Sequence, residues 1–214
     1  MKIVILSDID SWFNDYINYF YDDLKKDLGS LVWVNKVEEV PEGDICILLG
    51  CGQYMNKKIR NRNKNNIVVH ESKLPCGKGW SPLTWQILEG KNNITISLIE
   101  LDEKIDSGLI YYQEEMIFNG FELIDELRKV QAEFSFKLCK KFIQNYPNGN
   151  NYGKIQKGRS SYYSKRSKID SELDLNKSLN SQFNLLRICD NERYPAFFKK
   201  NGNVYRISID KVRE

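Results

Sequence analysis

The stretch from Asn66 to Ile110 constrains this chain more than any other. An apolar run, Ile67 to Val69, stops at His70, and a loop rich in Pro and Gly follows from Leu74 to Trp80. Leu83, Ile87 and Leu88 then recur at helical spacing before Gly90, which predicts a short amphipathic helix. A second apolar run from Ile94 to Leu101, the acidic turn DEKIDSG and a third run from Leu109 complete the segment. Its order is strand, loop, helix, strand, loop, strand. In an open sheet of such crossovers, ligands sit outside the carboxyl ends of the strands. His70 and Asp106 both fall just past such ends, so they are expected to converge.

His70 is the only histidine in 214 residues. An imidazole near its ordinary pKa exchanges protons at neutral pH, and a neighbouring carboxylate would raise that pKa and fix the tautomer. Taken alone, a histidine at a strand end is more often a satisfied hydrogen-bonding residue, and the carboxylates of DEKID are ordinary turn formers. The pair is an acid–base candidate whose weight rests on its neighbours.

Upstream, Lys2 to Leu6 reads as a buried strand. The turn SDIDSWFND, capped by Asp10 or Ser11, leads into a helix running to about Leu28 and closed by Gly29. Leu31 to Val34 and Asp44 to Leu49 read as further strands, giving a β-α-β-β rhythm. Downstream, Leu123, Leu127, Val130, Phe134, Leu138 and Phe142 form one stripe of a long helix from Phe121 to Tyr146. The turn-rich run PNGNNYGK then marks a boundary, placing a main domain at 1–150 and a small extension at 151–214. The extension reads as a solvated hairpin, a short helix from Ser178 and a closing hairpin with its turn at Asn201-Gly202. The fold class is therefore α/β, a Rossmann-like, doubly wound, mostly parallel sheet with a small C-terminal helix and hairpin extension.

Composition narrows the function. The net charge of +3 is weak and demands no anionic partner. Five cysteines show no CxxC pair and no metal-ligand spacing, so reduced thiols in the cytoplasm and no metal are expected. No apolar run has the length of a membrane span or a signal peptide, and no GxGxxG is present. Lys57 to Lys64 reads as a solvated surface run. Lys154 to Lys168 holds six basic residues and two tyrosines without an acid. An RNA-binding tract or a solvated hairpin would explain it, as would an Arg166 that meets a diphosphate in a bidentate pair. No nucleic-acid-binding motif accompanies it, so nucleic acid is not expected as partner.

The phrases HESKLPCGKGWSPLTWQILEG and ITISLIELDEKIDSGLI resemble the core signature of the folate-dependent formyltransferases. Members transfer a formyl group from 10-formyltetrahydrofolate to an amine, and their motif reads Asn-x-His, Ser-Leu-Leu-Pro, then Asp-x-Gly-x-Asp-Thr-Gly or a relative. His70 matches the family histidine, Ser72 to Pro75 the serine-to-proline segment and Asp106 the catalytic aspartate. The family asparagine falls at Val68. Asn66 is on the same strand face but about 6.6 Å further back at strand rise. The resemblance then implies an oxyanion stabilised by His70, a backbone N–H or water.

By the same resemblance, the donor lies between Cys51, Gln53, Tyr54 and Met55 on one side and Leu101, Asp102 and Ile105 on the other. Ser11, Trp12 and Asn14 border the acceptor, as do Lys78, Gly79 and Trp80. Formyl transfer needs neither metal nor covalent adduct, so Cys51 and Cys76 are not nucleophiles. In the tail, Arg187, Asn191, Tyr194, Pro195 and Phe197 resemble a segment of the sugar-nucleotide N-formyltransferases, in which an Arg-rich helix precedes Tyr-Pro-Gly-Ala-Phe. The glycine is missing here. The small branch acting on UDP-4-amino-4,6-dideoxy sugars in the formation of formylated pseudaminic acid, a surface glycan constituent, is the most similar, together with the formylation domain of linear gramicidin synthetase. A monomer or homodimer acting on a UDP-linked sugar is implied. A non-catalytic folate or sugar-nucleotide binder, or an enzyme for a carrier-bound aminoacyl or peptidyl acceptor, stays open.

Overall fold

In the computed structural model, residues 1–27, 29–149 and 152–212 are described. The expected helix end at Leu28 and the domain boundary at 150/151 lie outside them. Strands β1 (Lys2–Leu6), β2 (Ser30–Val34), β3 (Gly43–Leu48), β4 (Asn63–His70), β6 (Asn93–Glu100) and β7 (Ile110–Ile117) form one sheet in the order β2-β1-β3-β4-β6-β7. The intervening β5 is the two-residue Lys78–Gly79. β1 pairs in parallel with β2 and β3, and β3 with β4.

The alternation along β1 and β3 decides how the sheet is covered, because successive side chains point to opposite faces. Ile3, Ile5, Ile45 and Ile47 meet the apolar stripes of α1 (Asn14–Asp27), α3 (Pro82–Leu88) and α4 (Ile124–Asn145). Val4, Leu6, Cys46 and Leu48 meet Val37, Val40, Met55 and Ile59 on the other face, Ile59 belonging to the short α2 (Lys57–Arg60). The basic run Lys57 to Lys64 is thus a helix turn anchored by one buried isoleucine and leading into β4. Along α4, Leu127, Leu138 and Phe142 are buried and Val130 and Phe134 half-buried, whereas Leu123 caps the helix instead of joining its stripe.

One reversal matters for the site. β6 runs antiparallel to both β4 and β7, with Ile67 opposite Glu100 and His70 opposite Ser97. The carboxyl end of β6 therefore lies beside the middle of β4, not beside His70. Asp106 reaches His70 only because the loop 101–109 folds back, closed by Leu101 N–H on the Asn66 carbonyl and Glu100 N–H on the Leu109 carbonyl.

The extension departs from a solvated hairpin. Lys154 exchanges backbone hydrogen bonds with Ile110, and β8 (Tyr162–Tyr163) pairs in parallel with β5. The expected helix at Ser178 is a 3-10 turn at Asn180–Gln182 followed by α5 (Phe183–Arg187). The closing hairpin, β9 (Ala196–Lys200) and β10 (Asn203–Ile207), has the expected two-residue turn. Asn201 and Gly202 both have positive φ, 49° and 77°, as a type I′ turn requires.

Candidate active site

His70 is buried at the end of β4. Its Nε2 lies 2.7 Å from the carbonyl oxygen of Gly77. A carbonyl only accepts, so Nε2 carries the proton and Nδ1 keeps its lone pair. Nδ1 stands 3.6 Å from Asp106 Oδ2, beyond hydrogen-bonding distance. The carboxylate was expected to fix the tautomer; the Gly77 carbonyl does so instead. Asp106 is itself held by the N–H of Gly79, which donates to Oδ2 at 2.7 Å. The gap between Nδ1 and Oδ2 leaves both polar atoms for a third group.

The peptide groups that hold this pair are fixed from the extension. Lys78 N–H donates to the Ser161 carbonyl, Trp80 N–H to the Tyr163 carbonyl and Gly77 N–H to Ser161 Oγ. Trp85 Nε1 donates to the Ser164 carbonyl, which ties α3 to the same strap. Gly79 is required here: its φ is +98° and a Cβ would stand 2.4 Å from the Tyr163 carbonyl oxygen. Lys78 is buried with Nζ on Ser107 Oγ at 2.8 Å, a link that steadies the Asp106 loop.

On the expected donor side, Cys51, Leu101 and Val68 each pack against the apolar cluster that contains Met55. Met55 is a core residue, 3% exposed, so its side chain is withdrawn from any ligand. Burial pushes the Cys51 thiol up to about 12, which leaves it protonated and unreactive. Tyr54 and Ile105 are exposed apolar side chains, and exposed Asp102 receives the Glu103 N–H. The Arg60–Glu103 ion pair joins the two walls. Asn66 does not substitute for the asparagine expected at Val68: its Nδ2 donates to the Arg60 carbonyl.

A cavity of about 760 Å³ opens beside the pair. Its lining includes Glu71 and Trp80, the chain neighbours of His70 and Gly79, but neither His70 nor Asp106. Ser11, Trp12, Gln53, Arg166 and Tyr194 line it as well. Gln53 is less a donor contact than a brace, donating to Asp8 Oδ1 and the Asn35 carbonyl and accepting from Val37 N–H. Residues the sequence reading missed complete the wall: Asp8, Glu71, Arg128, Gln131, Lys165, Asp190 and Arg193. Arg128 and Gln131 carried a signal, being polar positions one helical turn apart on α4. Arg128 covers the Trp12 ring at 5.4 Å and pairs with Asp190, and Lys165 covers the Trp80 ring at 4.7 Å.

Five expected acceptor residues, Asn14, Lys78, Gly79, Arg187 and Asn191, do not line the cavity. Arg187 is 1% exposed and locked to Glu122 at 2.8 Å, with further bonds to Asn92 and the Glu122 carbonyl, so no ligand can reach its guanidinium. Asn191 uses both side-chain atoms on the backbone of Ile209. Asn14 braces the turn before α1 through the carbonyls of Asp8 and Ile9 and through Ser7 Oγ. Arg166 donates to the Asp170 carbonyl and Ser171 Oγ and keeps a buried Nε without a partner. Among the described residues no group of three or more His, Cys, Asp or Glu could hold a metal, and no helix is long and apolar enough to cross a membrane.

Residues 33–144 of this α/β chain, a span that includes both His70 and Asp106, match the family model described as formyl transferase. The chain belongs to that family. It is 29% identical over 173 residues to a methionyl-tRNA formyltransferase of Coprothermobacter proteolyticus, a match covering 80% of this chain and 57% of that protein. The chain spans about half the length of the curated relatives it matches. Its fold is similar to that of a 4-N formyltransferase from Francisella tularensis, with TM-score 0.77, 20% identity and coverage of 100% of this chain and 98% of that one. It is also similar to HypX from Aquifex aeolicus in complex with tetrahydrofolic acid, with TM-score 0.74, 16% identity and coverage of 95% and 36%.

Proposed function

We propose that this protein transfers a formyl group from 10-formyltetrahydrofolate to the amine of a nucleotide-linked 4-amino-4,6-dideoxy sugar. The observation that carries the reading is the His70–Asp106 pair, whose chain neighbour Glu71 lines a cavity with a wall that mixes carboxylates with Lys165, Arg166 and Arg193. Mixed charge of this kind suits an acceptor that brings both an amine and a diphosphate. The aromatic faces of Trp12 and Trp80 suit a base or a sugar ring.

10-formyltetrahydrofolate supplies the formyl carbon on a nitrogen leaving group. The residues fit such a donor: Cys51 and Leu101 pack over the apolar core, and Tyr54 and Ile105 are exposed apolar side chains, the tyrosine ring offering a flat face. His70 takes the proton of the attacking amine at Nδ1, the nitrogen that Gly77 leaves free, and returns it to the departing nitrogen. Asp106 receives the imidazolium across the gap and aligns the amine or a water. With valine at position 68, the oxygen that gains charge relies on protonated His70, on a backbone N–H or on water.

A methionyl-tRNA acceptor, the one named for the Coprothermobacter relative, is the second reading. The test is mass spectrometry of the purified protein with 10-formyltetrahydrofolate and a panel of amino-sugar nucleotides, charged initiator tRNA and a carrier-bound amino acid. The added mass of one carbonyl on a 4-amino sugar supports the reading. The same gain on tRNA or carrier alone would replace it, and folate binding without transfer would favour a non-catalytic binder.

A further inference from the structure

Glu71 follows His70 directly and lines the cavity that His70 itself does not line. It is 8% exposed, and one carboxylate oxygen, Oε1, accepts from Gln131 Nε2 at 2.6 Å. Among the described residues no other side chain donates to the carboxylate and no cation pairs with it. Gln131 lines the same cavity, so Gln131 and Glu71's own backbone N–H hold the carboxylate at the cavity wall, with lone pairs left for an occupant. A buried carboxylate without a cationic partner is costly. Burial accordingly pushes its pKa up, while the neighbouring His70 works the other way. Such an expense beside the reacting groups suits a site that receives a cation.

An aliphatic amine arrives largely protonated at neutral pH, an α-amino group titrating near ~8. An ammonium has no lone pair and cannot attack. We infer that Glu71 is a catalytic residue that docks the acceptor's ammonium and removes its first proton before His70 acts. Resting on the acceptor reading above, the step balances as follows. The ammonium gives one proton to Glu71, and the freed lone pair forms the new N–C bond to the formyl carbon. The nitrogen's second proton passes to His70 Nδ1 and onward to the folate nitrogen as its bond to the formyl carbon breaks. Glu71 returns its proton to water through the cavity, so the net products are the formamide, tetrahydrofolate and one proton.

The experiment is kcat/KM for the amino-sugar nucleotide in wild type and Glu71→Gln from about pH 6 to about pH 9.5, a window spanning the ordinary amine range. Glutamine keeps the shape and can still accept from Gln131. The wild type is expected to change little below the amine's pKa, whereas the variant climbs about tenfold per pH unit and comes within about threefold of wild type at the alkaline end. Parallel profiles, or a variant as active as wild type at pH 6, would overturn the inference. A second measurement needs only wild type: at neutral pH the 4-amino nucleotide is expected to bind at least about tenfold more tightly than its 4-hydroxyl counterpart. Equal binding overturns the inference even where the variant does not fold. A wild type that binds neither and formylates neither overturns the acceptor reading itself.

Discussion

His70 is oriented by Gly77, whose carbonyl oxygen accepts a hydrogen bond from Nε2–H with the heavy atoms 2.7 Å apart. That peptide group is a relay, since the Lys78 N–H at its other end donates to the Ser161 carbonyl at 2.9 Å. Because the chain has a single histidine, this can be read without assignment. Nitrogen-15 NMR is expected to show the Nε2–H tautomer in the neutral protein. An Nδ1–H tautomer would mean that Asp106 and not Gly77 sets the ring.

His70→Ala and Asp106→Ala are each expected to lower turnover by on the order of 10² or more, with the circular dichroism spectrum unchanged. The two act on one proton path, so the double variant should be little worse than either single one. Full activity in either single variant would remove the pair from the mechanism.

Gly79→Ala tests the strap. The added methyl meets the Tyr163 carbonyl at 2.4 Å on a residue with φ of +98°, so β5 and β8 must part. The expected result is a loss of stability of about 1–3 kcal/mol, by chemical denaturation. A larger relative loss of kcat should accompany it, because the same Gly79 N–H holds Asp106. An unchanged kcat would show that Asp106 does not depend on the strap.

Arg187→Ala separates a structural arginine from a ligand contact. Removing one partner of the buried pair with Glu122 is expected to cost about 3–5 kcal/mol of folding stability. The KM for the acceptor should stay within about twofold at a temperature where the variant is folded. A raised KM with unchanged stability would restore Arg187 to the binding site.

The pH dependence of stability follows from Glu71, whose folded pKa is raised by burial. A raised carboxylate holds its proton longer folded than unfolded. Its contribution is therefore fully present below the unfolded value of about 4.3 and is lost as pH rises through the folded value. At neutral pH Glu71→Gln should melt higher than wild type, and the difference should close in acid. A lower melting temperature at neutral pH would contradict the unpaired, buried carboxylate.

The sequence by itself determined the local pieces, because their signals lie within a few residues. The apolar run within Lys2 to Leu6 marked a buried strand, and Asn201-Gly202 marked a hairpin turn. The order of motifs around His70, Pro75 and Asp106 pointed to the family that the match over residues 33–144 shows. What only the tertiary structure decided involves partners far apart in the chain. Period-2 patterning is the same for either strand direction, so it could not reveal that β6 runs antiparallel and that the loop must fold back to bring Asp106 to His70. Nor does an arginine in a helix state its partner: Glu122 and Arg187 meet only when α5 docks beside the start of α4, which turned an expected ligand contact into a buried brace. Nor does the residue after His70 announce its surroundings: only folding buried Glu71 and placed it in the lining of a cavity.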